Sequence, residues 1–159
     1  MLSKTATYGL KAVLALGAAE GGAPVRIADL AQTETIPRKF LERILLRLQR
    51  RGVLRSKVGV GGGYALARPA DLITIGEVVR ALDGPLAPVP CVSQTAYRRC
   101  TECADERSCG IRLVMKEVRD AIAAILDHTT VRETLDRVDT ARRGGTSRAP
   151  GGRPARRSP

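Results

Sequence analysis

The sequence predicts a mainly α-helical protein that carries one small β-hairpin, followed by a cysteine loop and a long helix. Three observations support this prediction. Apolar residues recur at helical spacing through the first third of the chain, glycines separate two short β-prone runs, and a heptad pattern begins at residue 111. The 159 residues, of which 43% are hydrophobic, suffice for one ordinary domain with an extension.

Two helices are expected in the first part of the chain. The first covers about residues 4–19 and has an apolar stripe formed by Tyr8, Leu10, Val13, Leu14 and Leu16. The second is short, about residues 26–33, and buries Ile27, Leu30 and Ala31. A turn over residues 33–36 then separates it from the next helix.

The third helix, about residues 37–51, has the sharpest amphipathic pattern in the sequence. Pro37 suits its first position, where a missing N–H costs nothing, and Gly52 suits its end. The apolar face comprises Phe40, Leu41, Ile44, Leu45 and Leu48. The opposite face is cationic and comprises Lys39, Arg43, Arg47 and Arg50.

A β-hairpin is predicted next, with strands over residues 53–58 and 63–67 joined by a glycine-rich turn. Helix, short helix, turn, basic helix and hairpin is the order of a winged helix-turn-helix, whose third helix enters the major groove of double-stranded DNA. A nucleotide-binding phosphate loop is excluded because no Lys-Ser/Thr follows the glycines, which lead into a strand.

Two more helices are expected in the second half. A short one covers residues 74–82, with Thr74 as its N-cap and Glu77 completing a capping box. A long one covers about residues 110–127 and has an apolar seam at coiled-coil spacing, formed by Ile111, Met115, Val118, Ile122 and Ile125. This seam predicts a homodimer interface; the alternative is that it packs on the N-terminal domain of the same chain.

These elements divide the chain into four parts. Residues 1–84 are expected to form the winged helix-turn-helix domain, and residues 85–109 a cysteine-rich sensing loop. Residues 110–138 form the dimerisation helix region. Residues 139–159 are polar and arginine-rich, so a disordered basic tail is predicted.

The charge distribution indicates a polyanionic partner. The formal net charge is +11, and the excess lies in residues 26–57, with nine Lys/Arg against three acids, and in the tail. A solvated basic face is the alternative. With no Trp and one Phe, an aromatic platform for single-stranded bases is disfavoured. No leader or membrane-spanning segment is evident, so a cytoplasmic location without membrane contact is expected.

All four cysteines lie in CVSQTAYRRCTECADERSC, at positions Cys91, Cys100, Cys103 and Cys109. In a reducing cytosol, clustered cysteines more often bind metal or undergo redox chemistry than form structural disulfides. The C-x8-C-x2-C-x5-C spacing suits Zn²⁺ or an iron–sulfur cluster. A reversible disulfide switch is a third interpretation, and these residues alone do not separate the three.

The segments IPRKFLERIL, GGGYALARP and ITIGEVVRALDGPL resemble the Rrf2 family of bacterial regulators, and the resemblance covers about residues 1–136. It implies a homodimer with crossing long helices on a palindromic operator and, in several members, a cluster held by three loop cysteines. Carried over by position, these are Cys91, Cys103 and Cys109, and the expected cofactor is a [2Fe-2S] cluster, with zinc as the alternative. Arg112 and Thr7 stand where members carry a fourth ligand, so Cys100 is an additional candidate.

The DNA contacts are expected from the basic helix, its flanks and the hairpin: Arg26, Pro37, Arg38, Lys39, Glu42, Arg43, Arg47, Arg55 and Lys57. The resemblance implies that Glu42 contacts bases, and Val58 stands where some relatives insert a hairpin arginine into the minor groove. The sequence therefore predicts a DNA-binding transcriptional regulator, a repressor, modulated by the cluster or redox state of the loop. A zinc-stabilised nucleic-acid-binding protein without a sensing role is the alternative. With one His and no nucleophile–base pair, an enzyme is not expected.

Overall fold

A computed structural model describes residues 2–145 and confirms a mainly helical fold with one two-stranded antiparallel sheet. The helices are α1 (Lys4–Ala18), α2 (Ile27–Thr33), α3 (Arg38–Arg50), α4 (Ile75–Asp83), α5 (Gly110–Leu126) and α6 (Val131–Gly145), and the strands are β1 (Leu54–Lys57) and β2 (Gly63–Leu66). Three short 3-10 turns occupy Glu20–Gly22, Ala70–Leu72 and Pro90–Val92. None of the described helices is long and apolar enough to cross a membrane.

The hydrophobic core lies among α1, α3, α4 and the start of α6. The predicted apolar faces of α1 and α3 point into it, and its fully buried side chains include Leu16, Leu41, Leu45, Val78 and Val131. At its edge, Tyr8 and Phe40 pack edge to face, with ring centroids 5.8 Å apart. Because α3 buries one face here, its cationic face is left at the surface.

The turn between α2 and α3 has the hydrogen bonds of a Schellman motif. The N–H of Ile36 donates to Ala31 O at 2.9 Å, and the N–H of Thr35 donates to Gln32 O at 3.2 Å. Thr35 occupies the left-handed position of this motif with φ of 54°. Glycine usually fills that position because a β-branched side chain is strained there. The turn is therefore held by its hydrogen bonds and by buried Ile36.

Besides the pairing of its own two strands, the hairpin is held to the domain through β2. Leu54 pairs with Leu66 and Lys57 with Gly63, and a bridge from Val25 to Tyr64 adds a short third segment. A side chain on Gly63 would collide with the backbone of Val25, so this close approach requires glycine. The hairpin is consequently fixed relative to α2 and α3.

Helices α4, α5 and α6 meet at one junction. Ile75 N donates to Thr129 O and Val131 N donates to Ile73 O, both at 2.9 Å. Thr74 caps α4, as predicted, by accepting from Glu77 N at 3.1 Å. The predicted capping box also required the Glu77 carboxylate to accept a hydrogen bond from the backbone N–H of Thr74. The carboxylate instead pairs with Arg68, which lies on the segment that leads into α4.

The main difference from the sequence prediction lies in residues 139–145, for which disorder was expected and which form the end of α6. The start of this helix has a complete capping box that the prediction missed: Glu133 N donates to Thr130 Oγ1 at 3.1 Å, and Thr130 N donates to Glu133 Oε2 at 2.9 Å. Leu135 packs against the core beside α1. Tertiary packing thus sustains a helix whose second half is polar; the remaining tail, residues 146–159, lies outside the described residues.

Candidate DNA-binding face and cysteine loop

The exposed face of α3 presents most of the side chains predicted to contact DNA. Its apolar face is buried through Leu41, Ile44, Leu45 and Leu48, so the cationic side chains point outward. Arg38, Lys39, Glu42, Arg43 and Arg50 are all exposed. Arg38 Nε and Glu42 Oε1 form an i,i+4 ion pair at 3.2 Å, so these two side chains present a joined polar group. Pro37 immediately precedes the helix as its N-cap.

Arg47 has a different environment from the other α3 cations. Its Nη2 donates to Leu82 O at 2.6 Å and to Ala81 O at 3.3 Å. These carbonyls belong to the last turn of α4, where a cation also complements the helix dipole. The guanidinium of Arg47 therefore links α3 to the end of α4, while the residue itself stays exposed.

The hairpin lies beside the C-terminal end of α3. Gln49 Nε2 donates to Ser56 Oγ at 3.0 Å, which joins the helix to β1. Arg55 and Lys57 are exposed on the same strand, although Arg55 Nε also donates to Leu66 O at 3.1 Å. Arg26 is exposed at the N-cap of α2. The structure thus places α2, α3 and the hairpin next to one another, with these predicted cations exposed on them.

The cysteine loop connects α4 to α5 and holds a network of polar contacts. Cys91 lies in the Pro90–Val92 turn, which is fixed to α5 because Arg119 Nη1 donates to Val92 O at 2.7 Å. Tyr97 Oη donates to Glu106 Oε1 at 2.6 Å. Asp105 accepts from Arg107 N at 3.0 Å and from Ser108 Oγ at 2.9 Å. The loop is folded by side-chain contacts instead of regular backbone pairing.

The thiols of Cys103 and Cys109 affect each other's pKa. Desolvation, followed by contact with the Cys109 thiol, raises the pKa of Cys103, and the charge of Cys100 acts in the same direction. Cys109 is the N-cap residue of α5, and its thiol pKa is lowered, mainly by the backbone N–H of Arg112. The Cys109 side chain makes no capping hydrogen bond to the helix. The thiol of Cys109 therefore loses its proton more readily than an ordinary cysteine does.

The donor chemistry of the loop fits a thiolate-bound cofactor. All four cysteines are free thiols, and soft thiolates suit zinc or an iron–sulfur cluster. Within residues 2–145, however, no group of three or more His, Cys, Asp or Glu side chains is placed to hold a metal ion. The thiols would therefore have to be drawn together by the bound group, which the irregular backbone of the loop permits.

Near these thiols, Arg112 has an unusual environment. Its Nε is buried and has no hydrogen-bond partner among the described residues. Glu106 Oε2 lies 3.9 Å from this nitrogen, beyond hydrogen-bond reach. Arg112 thus adds a positive charge beside Cys109 at the position where sequence comparison expected a fourth ligand.

Helix α5 has no buried residues within the single chain and presents an apolar stripe to solvent. We call the α5 stripe the exposed residues Ile111, Val114, Val118, Ala121 and Ile125. Three residues of the predicted seam belong to it, whereas Met115 and Ile122 are half-buried. Ile122 lies with Leu126 along a groove that also contains Ile75 and Val79 of α4. The seam predicted from the sequence is therefore divided between the body of the chain and the exposed stripe.

One long-range ion pair escaped the sequence prediction. Arg80 of α4 forms a bidentate ion pair with Asp127 at the end of α5, and Arg80 Nη2 lies 2.8 Å from Asp127 Oδ2. The hydrogen bond from Arg80 lowers the pKa of Asp127. Gly76 leaves the space for this pair, since a side chain there would meet the Asp127 carboxylate. Their separation in the sequence gives no local pattern that could have revealed the pair.

Comparison with known proteins places the chain in a family. A family model described as Rrf2, an iron-dependent transcriptional regulator, matches residues 2–137. An rrf2-like HTH-type transcriptional regulator of Rhodobacter capsulatus is 39% identical over 138 residues, covering 85% of this chain and 92% of that protein. The regulator IscR of Erwinia tasmaniensis is 26% identical, covering 85% of this chain and 78% of that protein.

A solved structure gives the same result. CymR of Bacillus subtilis, titled the global cysteine regulator of that organism, is 29% identical with a TM-score of 0.71, covering 86% of this chain and 96% of CymR. The fold, the basic face of α3 and the similar proteins all indicate a helix-turn-helix transcriptional regulator. The chain belongs to the Rrf2 family of helix-turn-helix transcriptional regulators, and it is a DNA-binding regulator, not an enzyme.

Proposed function

We propose that this regulator is a homodimeric repressor whose affinity for operator DNA is set by the state of the cysteine loop. The observation that carries the proposal is the position of that loop. It leaves the last turn of α4, which Arg47 ties to α3, and it ends at Cys109, the N-cap of α5. A change in the loop therefore acts on both the DNA-binding helix and the helix with the exposed apolar stripe.

In the proposed complex, α3 enters the major groove. Lys39 and Glu42 lie on its exposed face toward the N-terminal end, where residues of a recognition helix contact base edges. Arg38, Arg43 and Arg50 flank them and would contact phosphates, which set affinity without selecting sequence. Arg26, Arg55 and Lys57 would extend these contacts on either side.

The proposed dimer forms through the α5 stripe. Ile111 and Ile125, at opposite ends of the helix, are 69% and 64% exposed in the single chain. An apolar stripe this long is usually covered by another protein surface. A second copy of α5 supplies a stripe with the same spacing, and the resulting two-fold symmetry matches a palindromic operator.

Cys91, Cys100, Cys103 and Cys109 would hold the cofactor, and an iron–sulfur cluster is proposed over zinc. When bound, such a cluster supplies sensitivity to oxidants and to iron supply, which zinc does not. The chain itself contributes the restraints: Arg119 fixes the turn that contains Cys91, and the start of α5 fixes Cys109. The segment between them, including Cys100 and Cys103, rearranges.

Coupling follows from this geometry. Rearrangement of the loop shifts the last turn of α4, and the Arg47 contacts transmit this shift to α3. Because thermodynamic coupling is reciprocal, operator DNA must also bias the state of the loop. The shift of α3 that the loop produces also changes the distance between the two α3 helices of the dimer.

The test begins with protein purified without oxygen. Iron, sulfide and zinc analysis together with the absorption spectrum identifies the bound group, and an iron–sulfur protein is coloured and bleaches in air. Operator DNA is then selected in vitro from random sequences, and the affinity of the protein for it is measured before and after the bound group is removed. A colourless protein that contains only zinc and binds DNA equally well in both states would support the zinc-stabilised alternative.

A further inference from the structure

One apolar side chain lies in the middle of the charged face of α3. Leu46 is 42% exposed, and it is the single exposed large apolar side chain of this helix, which the structure describes in full. The other leucines of α3 and its isoleucine are fully buried, namely Leu41, Ile44, Leu45 and Leu48. Packing of the core therefore does not account for a leucine at position 46.

The spacing of its neighbours places Leu46 on the same side of α3 as the side chains proposed to face DNA. It follows Glu42 by four residues and Arg43 by three, and it precedes Arg50 by four; residues three or four apart share one side of a helix. All three neighbours are exposed. Together with Lys39 they give the exposed series 39, 42, 43 and 46. The same spacing of three, one and three residues joins the base-reading positions of a homeodomain recognition helix.

A leucine on this face has one kind of base group that it can contact favourably. The base edges in the major groove present hydrogen-bond donors and acceptors, and the exception is the apolar C5-methyl group of thymine. The side chain of Leu46 has no polar atom, so a donor or acceptor placed against it would lose its hydrogen bond to water without gaining another. Thymine is therefore the base that Leu46 favours.

We propose that Leu46 selects a thymine in each half-site of the operator by packing against the C5-methyl group of that base. This inference rests on the proposed docking of α3 and names a residue that determines sequence preference without a hydrogen bond. The helix also gives the register of the contact. Leu46 lies about 6 Å beyond Glu42 along the helix axis, at a rise of about 1.5 Å per residue, and base pairs are about 3.4 Å apart. The thymine therefore lies about two base pairs from the base that Glu42 contacts.

The test removes the methyl group from the DNA and the leucine from the full chain, separately and together. In operator DNA selected in vitro, each thymine is replaced in turn by uracil, which lacks only the C5-methyl group. At one thymine of a half-site, the replacement should weaken binding of the original protein about fourfold, as expected for one buried methyl group. The same replacement should change the affinity of L46A by less than about twofold, because the side chain that contacts the methyl group is already absent.

Two variants serve as controls for this coupling. L46M keeps an apolar side chain of similar volume and should retain the sensitivity to uracil. Leu72, 59% exposed and outside α3, provides the matched variant L72A, which should bind every operator like the original protein. Thermal unfolding checks that L46A is folded, as expected for an exposed position. The uracil series on the original protein depends on no variant, and the absence of a sensitive thymine in it refutes the inference by itself.

The outcomes also separate this inference from the docking of α3. If Arg43→Met weakens operator binding while every uracil replacement affects the original protein and L46A equally, the docking is retained and the thymine contact is refuted. If Arg43→Met and L46A both bind as tightly as the original protein, the docking fails and the inference fails with it. Selection of operators with E42Q locates the base that Glu42 contacts. A thymine about two base pairs from that base, whose sensitivity to uracil is lost in L46A and kept in L46M, supports the inference.

Discussion

The role of Arg47 gives a prediction that separates an internal link from a DNA contact. The substitution Arg47→Met keeps an unbranched apolar stem but removes the guanidinium and its two hydrogen bonds to the end of α4. Arg43 lies one turn earlier on α3 and is exposed, so Arg43→Met is the matched control. Both substitutions remove one positive charge from the same helix.

The expected cost follows from the two contacts of Arg47. A hydrogen bond from a charged donor contributes about 1.5–3 kcal/mol when well shielded. The contact at 2.6 Å is short, whereas the one at 3.3 Å is weak, and Arg47 is exposed to solvent, which reduces the contribution of both. We therefore expect Arg47→Met to lower the free energy of unfolding by about 1–2 kcal/mol. Arg43→Met should change it by less than about 0.5 kcal/mol.

Urea unfolding and salt-dependent DNA binding measure the two effects separately. Arg47→Met should shift the urea midpoint down and leave the salt slope of operator binding unchanged. Arg43→Met should leave the midpoint unchanged and lower the slope by about one, because a phosphate contact is lost. The reasoning would be refuted if Arg47→Met lowered the slope by about one without changing stability.

Three further predictions concern the turn, the ion pair and the start of α6. Thr35→Gly should raise the free energy of unfolding by about 1 kcal/mol in urea titration, because it relieves a β-branched residue at φ of 54°; an unchanged or lower value would contradict this. Asp127→Asn should lower the free energy of unfolding by about 1 kcal/mol at pH 7, a value reduced for partial exposure. The pKa of Asp127 is lowered in the folded state, so its contribution to the free energy of unfolding is complete above the unfolded pKa of about 3.9. That contribution is lost as the pH falls through the folded pKa. The stabilities of the original protein and of Asp127→Asn should therefore converge only in acid. Glu133→Ala should cost about 0.5–2 kcal/mol and increase amide exchange at the start of α6, whereas a similar change at Glu117, which is exposed in the middle of α5, should not affect α6.

Sequence periodicity predicted the DNA-binding domain well because each of its elements carries a local signal. The apolar faces of α1 and α3, the cap at Thr74 and the glycine turn of the hairpin all appear where their patterns indicated. In each case a spacing of two, three or four residues determines which side is buried. The exposed side chains of α3 could be predicted because they lie opposite the face that is buried.

Contacts between distant segments could not be predicted in this way. The engagement of Arg47 with α4 looks identical, in sequence, to a free cation on a basic helix. The prediction stopped short of α6 because arginines and glycines dominate its second half, although Thr130 and Glu133 held the signal of its start. The cysteine spacing indicated a soft ligand set but not which thiols lie together, which depends on the fold of the loop.

The central claim is that the state of the cysteine loop controls operator affinity. The most direct measurement compares the dissociation constant for selected operator DNA, without oxygen, between protein that retains its thiolate-bound group and the same protein after removal of that group. The account predicts a difference of at least about tenfold, a coupling of about 1.4 kcal/mol. Equal affinity in the two states would contradict it.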